Sequence, residues 1–266
     1  MKYFFMMNTN EGVARGQSFF KAVGMVLMGL SVGLGGGMVQ GQGAYIEEFN
    51  GVAGSVPTGW TVAANGTFGE QAEVELTGNG TLKMTRMTTA TAGANTAAFW
   101  EGDFGNIEDG VIADGIVTTQ FLLGTNDQRG VIARSVFNSS ANPQGYWSYV
   151  TGTKLVLAKD PVNHNQTILE EVDFGTSVTG KVELVFQFVG NNLDVKLYSL
   201  ESSGDPFATI SFVDSSYNTG LTGLRSRIQG QRSTEYDYFS VTAIPEPSIT
   251  MLPLISGVLA LLIKRK

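Results

Sequence analysis

The 266-residue chain carries 34 glycines, a single histidine and no cysteine, with 24 acidic against 17 basic side chains and a formal charge of −7. Without cysteine it has neither a disulfide framework nor thiolate metal sites. An acidic balance with no basic stripe repels phosphate backbones, which excludes nucleic acid as a partner.

From the N-terminus, Lys2, Arg15 and Lys21 precede the apolar, glycine-softened run AVGMVLMGLSVGLGGGMV and small residues around VQGQGA. Cationic, apolar and small-residue regions in that order form a secretory signal. Residues 1–44 are read as a signal peptide cleaved between Val39 and Ala44. An uncleaved membrane helix is the alternative, and the stretch from Gly33 to Gly37 is a poor helix for that purpose.

The remaining domain, residues 45–243, holds 11 Lys and Arg against 22 Asp and Glu. It is long enough to bury a large single core. Its hydrophobic period is two throughout. YIEEFNG and PTGWTV open it, and short runs follow at Gly80–Arg86, Gly115–Leu123, Gly130–Val136, Gly145–Val150, Lys154–Lys159 and Thr167–Asp173. In Lys181–Val189, residues Val182, Leu184, Phe186 and Phe188 share a face opposite Glu183, Val185 and Gln187. Gly190-Asn191-Asn192 then turns the chain into Leu193–Tyr198, which makes a hairpin. Ala208–Val213, the segment VDSSYNTGLTGL read as a loop, and Asp237–Thr242 close the domain. No ten-residue amphipathic helix interrupts these runs, and no repeat is visible. The pattern predicts an all-β, two-sheet antiparallel sandwich or jelly roll.

The order YIEEFNG, PTGWTV, GVIARS, GYWSYV, KLVLAKD, VELVFQFVGNNLDVKLY, VDSSYNTGLTGL and EYDYFSV resembles the concanavalin A-like, or laminin-G-like, jelly roll. That resemblance implies two curved sheets whose concave face commonly holds a carbohydrate, in a superfamily that includes adhesion modules, structural domains and glycosidases. One glycosidase branch carries Glu-x-Asp-x-x-Glu. The nearest stretch here, Glu101-Gly-Asp103-Phe-Gly-Asn106, ends in an amide that cannot protonate a leaving glycoside. Glu73 and Glu75 share a strand face that an acidic outer surface explains equally well. His164, in Asn163-His-Asn165, is read as a solvated loop tip, since neither a zinc site nor a histidine-dependent triad finds a second member. No catalytic constellation is read.

Two binding sites are expected. Strand parity sets Ile132 and Arg134 opposite Val131 and Ala133, and an unpaired guanidinium is costly in a core. Arg134 is therefore expected on the curved outer groove, with Tyr146 across from it as a polar and aromatic pair for a sugar ring. Trp147 and Tyr149 share the other face of their strand, and core packing accounts for one of the two sets. Trp60 and Trp100 are expected in core or edge packing, and Asp127 and Asp214 as turn formers. The jelly-roll resemblance implies that first and last strands pair, which would bring Glu48 and Asp237 to one structural calcium.

The chain ends in IPEPSITMLPLISGVLALLIKRK. The apolar run is about 15 residues against the roughly 20 that a spanning helix needs, and Pro253 and Gly257 weaken it. Pro245-Glu246-Pro247, an apolar helix, then Lys264-Arg265-Lys266 resembles the PEP-CTERM sorting signal of bacterial exosortase systems. The resemblance implies that residues 244–266 insert in the inner membrane and are processed by an exosortase near the Pro-Glu-Pro motif. A permanent tail anchor is the alternative. The favoured function is a non-enzymatic, exported cell-surface or extracellular-matrix protein that binds polysaccharide. A glycan-active hydrolase and a purely structural matrix component remain as alternatives.

Overall fold

The computed structural model describes residues 44–64, 72–86, 94–102, 109–124, 128–136, 143–160, 166–175, 179–228 and 233–245. Residues 1–43 of the signal peptide and the tail residues Glu246, Pro247, Lys264, Arg265 and Lys266 lie outside them, as do Asp103, Asn106, Asp127 and His164. In chain order the strands are β1 (Ala44–Glu47), β2 (Trp60–Ala64), β3 (Ala72–Leu76), β4 (Leu82–Arg86), β5 (Ala94–Trp100), β6 (Gly115–Leu122), β7 (Gln128–Val136) and β8 (Gln144–Thr151). They continue as β9 (Lys154–Asp160), β10 (Thr167–Asp173), β11 (Lys181–Val189), β12 (Asn192–Ser199), β13 (Ala208–Val213), β14 (Leu221–Ile228) and β15 (Ser233–Ala243).

All pair antiparallel in two stacked sheets. The eight-stranded sheet runs β13-β12-β11-β6-β15-β4-β3, with β1 also on β15, and the seven-stranded sheet runs β10-β9-β8-β7-β14-β5-β2. This is the all-β jelly-roll sandwich that the alternation predicts. The clearest element is the β11–β12 hairpin. Val182, Leu184, Phe186 and Phe188 are each fully buried, while Glu183, Val185 and Gln187 are half-buried on the outside. Burying each of these four is worth about 2 kcal/mol relative to exposure. Gly190, at φ 55°, opens the two-residue turn between Val189 and Asn192, where an L side chain would be strained.

A single core fills the space between the sheets. From the eight-stranded side it takes Val117, Phe121, Phe186 and Phe239, and from the seven-stranded side Trp100, Val131, Leu157 and Leu224. Trp60 and Trp100 are both buried in it, and Tyr45 stacks on Trp100 with centroids 4.7 Å apart. A bulge at Asp237 sets Tyr236 and Phe239 both inward. The Tyr236 hydroxyl then reaches across the core, donating to Arg225 O at 2.8 Å and accepting from Gly130 N at 3.1 Å.

Two strands differ from the sequence reading. β14 occupies the end of the segment read as a loop and continues to Ile228, between β7 and β5 in the middle of its sheet. Gly223 belongs there because a Cβ would lie 2.1 Å from Ala98 O of the neighbouring strand. β5, ANTAAFW, is a strand of small residues whose Thr96–Trp100 portion is buried on both faces.

Candidate functional site

The middle of the seven-stranded sheet, in β7, β8 and β14, is buried on its outer face as well as its inner one. Two small apolar clusters lie there, one of Ala97, Phe99 and Ile132 and one of Trp147, Tyr149, Val156 and Ala158. The register explains the second. Ile132 pairs with Trp147, and Gly130 pairs with both Arg225 and Tyr149. Because Gly130 has no side chain, Arg225 can lie across it, with its guanidinium 4.0 Å from the Trp147 ring centroid. Trp147 and Tyr149 have centroids 4.2 Å apart, and Gln166 Nε2 donates to the Tyr149 hydroxyl.

At one end of this face four segments converge. β5 ends and presents Glu101, residues 109–114 lead into β6, β7 ends at Val136, and residues 214–220 lead into β14. Ile112 and Gly220 bridge two of them through N···O contacts of 3.0 and 3.1 Å. Together they enclose an open cleft of about 580 Å³ lined by Glu101, Asp109, Val111, Ser135, Val136, Thr219, Gly220 and Leu221. Leu221 also packs on the Ala97–Phe99–Ile132 cluster, so the cleft sits on the outer side of the sheet. Val111 and Val136 are 45% and 54% exposed and give it an apolar wall. Among the described lining residues Glu101 and Asp109 are charged, and the Thr61 hydroxyl donates to Glu101 Oε2 at 2.5 Å.

Two left-handed non-glycine residues lie at or beside this cleft, Asp109 and Arg134. Among the described residues, the non-glycine positions at positive φ are Phe49, Asp109 and Arg134. Asp109 (φ 53°) precedes Gly110 (φ 67°), where a Cβ would come within 2.4 Å of Trp100 O. The pair therefore folds the chain directly onto the end of β5. Asp tolerates this left-handed region better than most residues.

The expected Arg134–Tyr146 groove pair is corrected by the structure. The β7 register shifts between Ala133 and Val136, so parity breaks at Arg134 and its side chain turns inward, 1% exposed. Arg134 Nε donates to Ala113 O at 2.7 Å, Nη1 to Tyr217 O at 3.1 Å and Nη2 to Asp114 Oδ1 at 3.0 Å. Its guanidinium carbon lies 5.3 Å from the Phe188 ring centroid. Tyr146 is fully buried in the central core, edge-on to Tyr217. Its hydroxyl donates to Asp214 Oδ1 at 2.7 Å and accepts from Tyr217 N at 3.2 Å. Of the two aromatic sets in β8, Tyr146 is the inner one, and Trp147 and Tyr149 are the outer.

Asp214, anticipated as a turn former, does accept from Ser216 N at 2.7 Å, and it also gathers Tyr146 and the Lys159 ammonium, at 2.7 Å. Burial alone would raise its carboxyl, but the bonds from Lys159, Ser216 and Tyr146 hold it well below the usual carboxylate range. Burial and the Asp214 bond push the Tyr146 phenol up to about 12.

Of the calcium expectation, the structure shows the strand pairing it assumed. β1 and β15 do pair, but Asp237 Oδ2 bonds Lys181 Nζ at 2.9 Å, and Glu48 Oε2 accepts from Asn50. Among the described residues no group of three or more His, Asp or Glu side chains could hold a metal ion. As placed, each of the two carboxylates serves a protein donor, Lys181 for Asp237 and Asn50 for Glu48. Glu75 pairs with Lys83 at 3.2 Å on the outer surface.

No protein-family model matches the chain, and no curated protein matches it. Solved structures do. The exoplasmic/lumenal domain of VIP36 in its Ca2+-bound form superposes with a TM-score of 0.51 at 13% identity, covering 77% of this chain and 92% of that one. The same domain bound to Ca2+ and Man2 gives 0.51 at 13% identity over 78% and 90%. The CBM2 module of the evolved Dit of Lactobacillus casei BL23 phage J-1 gives 0.50 at 16% identity over 77% and 99%. The chain therefore shares the jelly-roll sandwich of a lumenal domain solved with mannose and of a module named for carbohydrate binding, and at these identities the likeness is one of fold.

Proposed function

We propose that this protein is a non-enzymatic, carbohydrate-binding component of the cell surface or extracellular matrix. In this reading the leader exports it through the inner membrane and an exosortase processes its Pro-Glu-Pro tail. The observation that carries the binding reading is the cleft at the rim of the outer face. Its size falls within the range of small-ligand sites, and it sets two carboxylates beside an apolar wall. Carboxylates accept hydrogen bonds from vicinal hydroxyls, while the C–H face of a sugar lies against Val111, Val136 and Leu221. Among the described residues that line it the charged ones, Glu101 and Asp109, are both acidic, so the cleft suits neutral or amine-bearing sugars better than uronates. The solved neighbours that carry mannose or are named as a carbohydrate-binding module support the same class.

Retention of the full chain on chitosan, neutral glucan and alginate tests this. Chitosan or glucan should be retained and alginate not, and Glu101→Gln or Asp109→Asn should each weaken retention about tenfold, since a hydrogen bond to a charged group contributes about 1.5 kcal/mol or more. Equal retention on all three, untouched by either change, would refute the reading. The tail is tested by mass spectrometry, which should find surface-located molecules ending near Pro245–Ser248. Mature molecules ending at Lys266 would favour a permanent anchor.

A second reading, a glycan hydrolase, rests on Glu101 and Asp109 lining one cleft. Release of reducing ends from the retained polysaccharide, abolished by either substitution, would establish it over simple binding.

A further inference from the structure

We infer that Arg134 is a positioning residue that fastens the walls of the cleft from beneath without touching its contents. The inference rests on the cleft being the binding site. Three of the converging segments meet at this one guanidinium. Arg134 itself leads directly into Ser135 and Val136. Through Ala113 O and Asp114 Oδ1 it holds the segment that carries Asp109 and Val111. Through Tyr217 O it holds the loop that carries Thr219, Gly220 and Leu221. Asp114 Oδ1 also accepts from Gly190 N at 2.8 Å, which ties the assembly to the β11–β12 turn of the opposite sheet.

The shape of the side chain matters. A planar guanidinium donates in three fixed directions at once, and here one donor serves each of two carbonyls and a carboxylate. An ammonium on a flexible stem carries the charge but cannot span all three acceptors. The backbone gives an independent sign that this arrangement is over-determined. Arg134 sits at φ 50°, a conformation that surrounding contacts must enforce for a residue with a Cβ. Gly220 packs so closely on the bulge that a Cβ there would lie 2.6 Å from Ser135 O and from Arg134 C. Loop, bulge and guanidinium therefore form one unit behind the cleft.

The test uses the full chain in mild detergent with Arg134→Lys, and Arg134→Gly as a second variant that suits positive φ but lacks the fork. Two readouts are taken. In hydrogen exchange, residues 109–114 and 217–221 should exchange at least tenfold faster in Arg134→Lys, while β11 and β12 keep the parent rate. On chitosan or glucan, whichever the parent retains, retention should fall at least tenfold in both variants. Unchanged exchange in the two segments, or equal acceleration across both sheets, overturns the positioning role. If the parent retains no glycan but the two segments loosen selectively, the positioning role stands and the carbohydrate reading falls. Selective loosening with retention intact overturns the claim that this scaffold serves the site.

Discussion

Replacing Tyr146 with phenylalanine separates a core role from a ligand role with one oxygen atom. The ring stays in place against Tyr217, and only the hydroxyl goes. That hydroxyl donates to Asp214 Oδ1 at 2.7 Å and accepts from Tyr217 N at 3.2 Å. The first bond is to a charged acceptor and is worth about 1.5–3 kcal/mol, and its loss also leaves the Tyr217 N–H without this acceptor. A destabilisation of about 2 kcal/mol lowers the melting temperature of a domain near 200 residues by about 4–8 °C. The linkage adds a signature in alkali. The phenol is pushed up to about 12 from its ordinary 10, so the folded state favours its protonated form. That stabilisation is complete below about pH 10 and is lost as pH rises through about 12. Thermal melts at pH 7 and from pH 9 to 12 are the assay, with glycan retention measured alongside. Tyr146→Phe should melt early, lack the additional alkaline loss of the parent, and retain glycan like the parent below its melting point. An unchanged melting temperature with lost retention would refute the core assignment and restore Tyr146 as a ligand contact.

Asp214→Asn should destabilise at neutral pH, but the difference from the parent should shrink as pH falls below about 4. A carboxyl held below its ordinary value stabilises only while ionised, and a pH-independent difference in urea melts would contradict this. Gly223→Ala should lower the melting temperature by at least several degrees, because its Cβ would meet the backbone at Ala98 O and force two central strands apart. Asp237→Asn removes a partly exposed bridge to Lys181 and should cost less than about 1 kcal/mol. Any response of the melt to added calcium should be the same in Asp237→Asn, Glu48→Gln and the parent.

Legibility in the sequence followed how many faces of a strand are buried. In β11 and β12 one face is buried and the other wet, so apolar and polar residues alternate and each position can be assigned from its neighbours. The middle of the seven-stranded sheet offers no such contrast. GYWSYV in β8 is buried at every position, so alternation says that Tyr146 and Trp147 oppose each other but not which one faces the core. β14 was harder still. Its Arg225 and Arg227 fall on the outer face, its Gly223 sits where a neighbouring backbone comes too close for a side chain, and the string TGLRSRI carries the marks of a loop. The cleft has no local signature at all. Glu101, Asp109, Ser135 and Thr219 come from four separate segments, and only the folding of the chain brings them together.

Arg134 shows where a sound physical rule led to the wrong face. An unpaired guanidinium is indeed excluded from a core, and the inward positions of β7 are Val131 and Ala133. The rule leaves two outcomes, exposure or pairing, and parity chose exposure. Both premises changed together. The bulge after Ala133 turned the residue inward, and the acceptors waiting there were Ala113 O, Asp114 and Tyr217 O, from loops about 20 and 80 residues away in sequence. Carbonyls of irregular segments are the natural partners for such a fork, because a segment outside the sheet ladder has backbone acceptors to satisfy. A charged residue at the end of an otherwise buried strand, between small residues and ahead of a turn, is thus as consistent with a bolt for neighbouring loops as with an exposed contact. Here parity placed the guanidinium in an exposed pair, whereas it lies buried beneath the segments whose Ser135, Val136, Thr219 and Leu221 line the cleft.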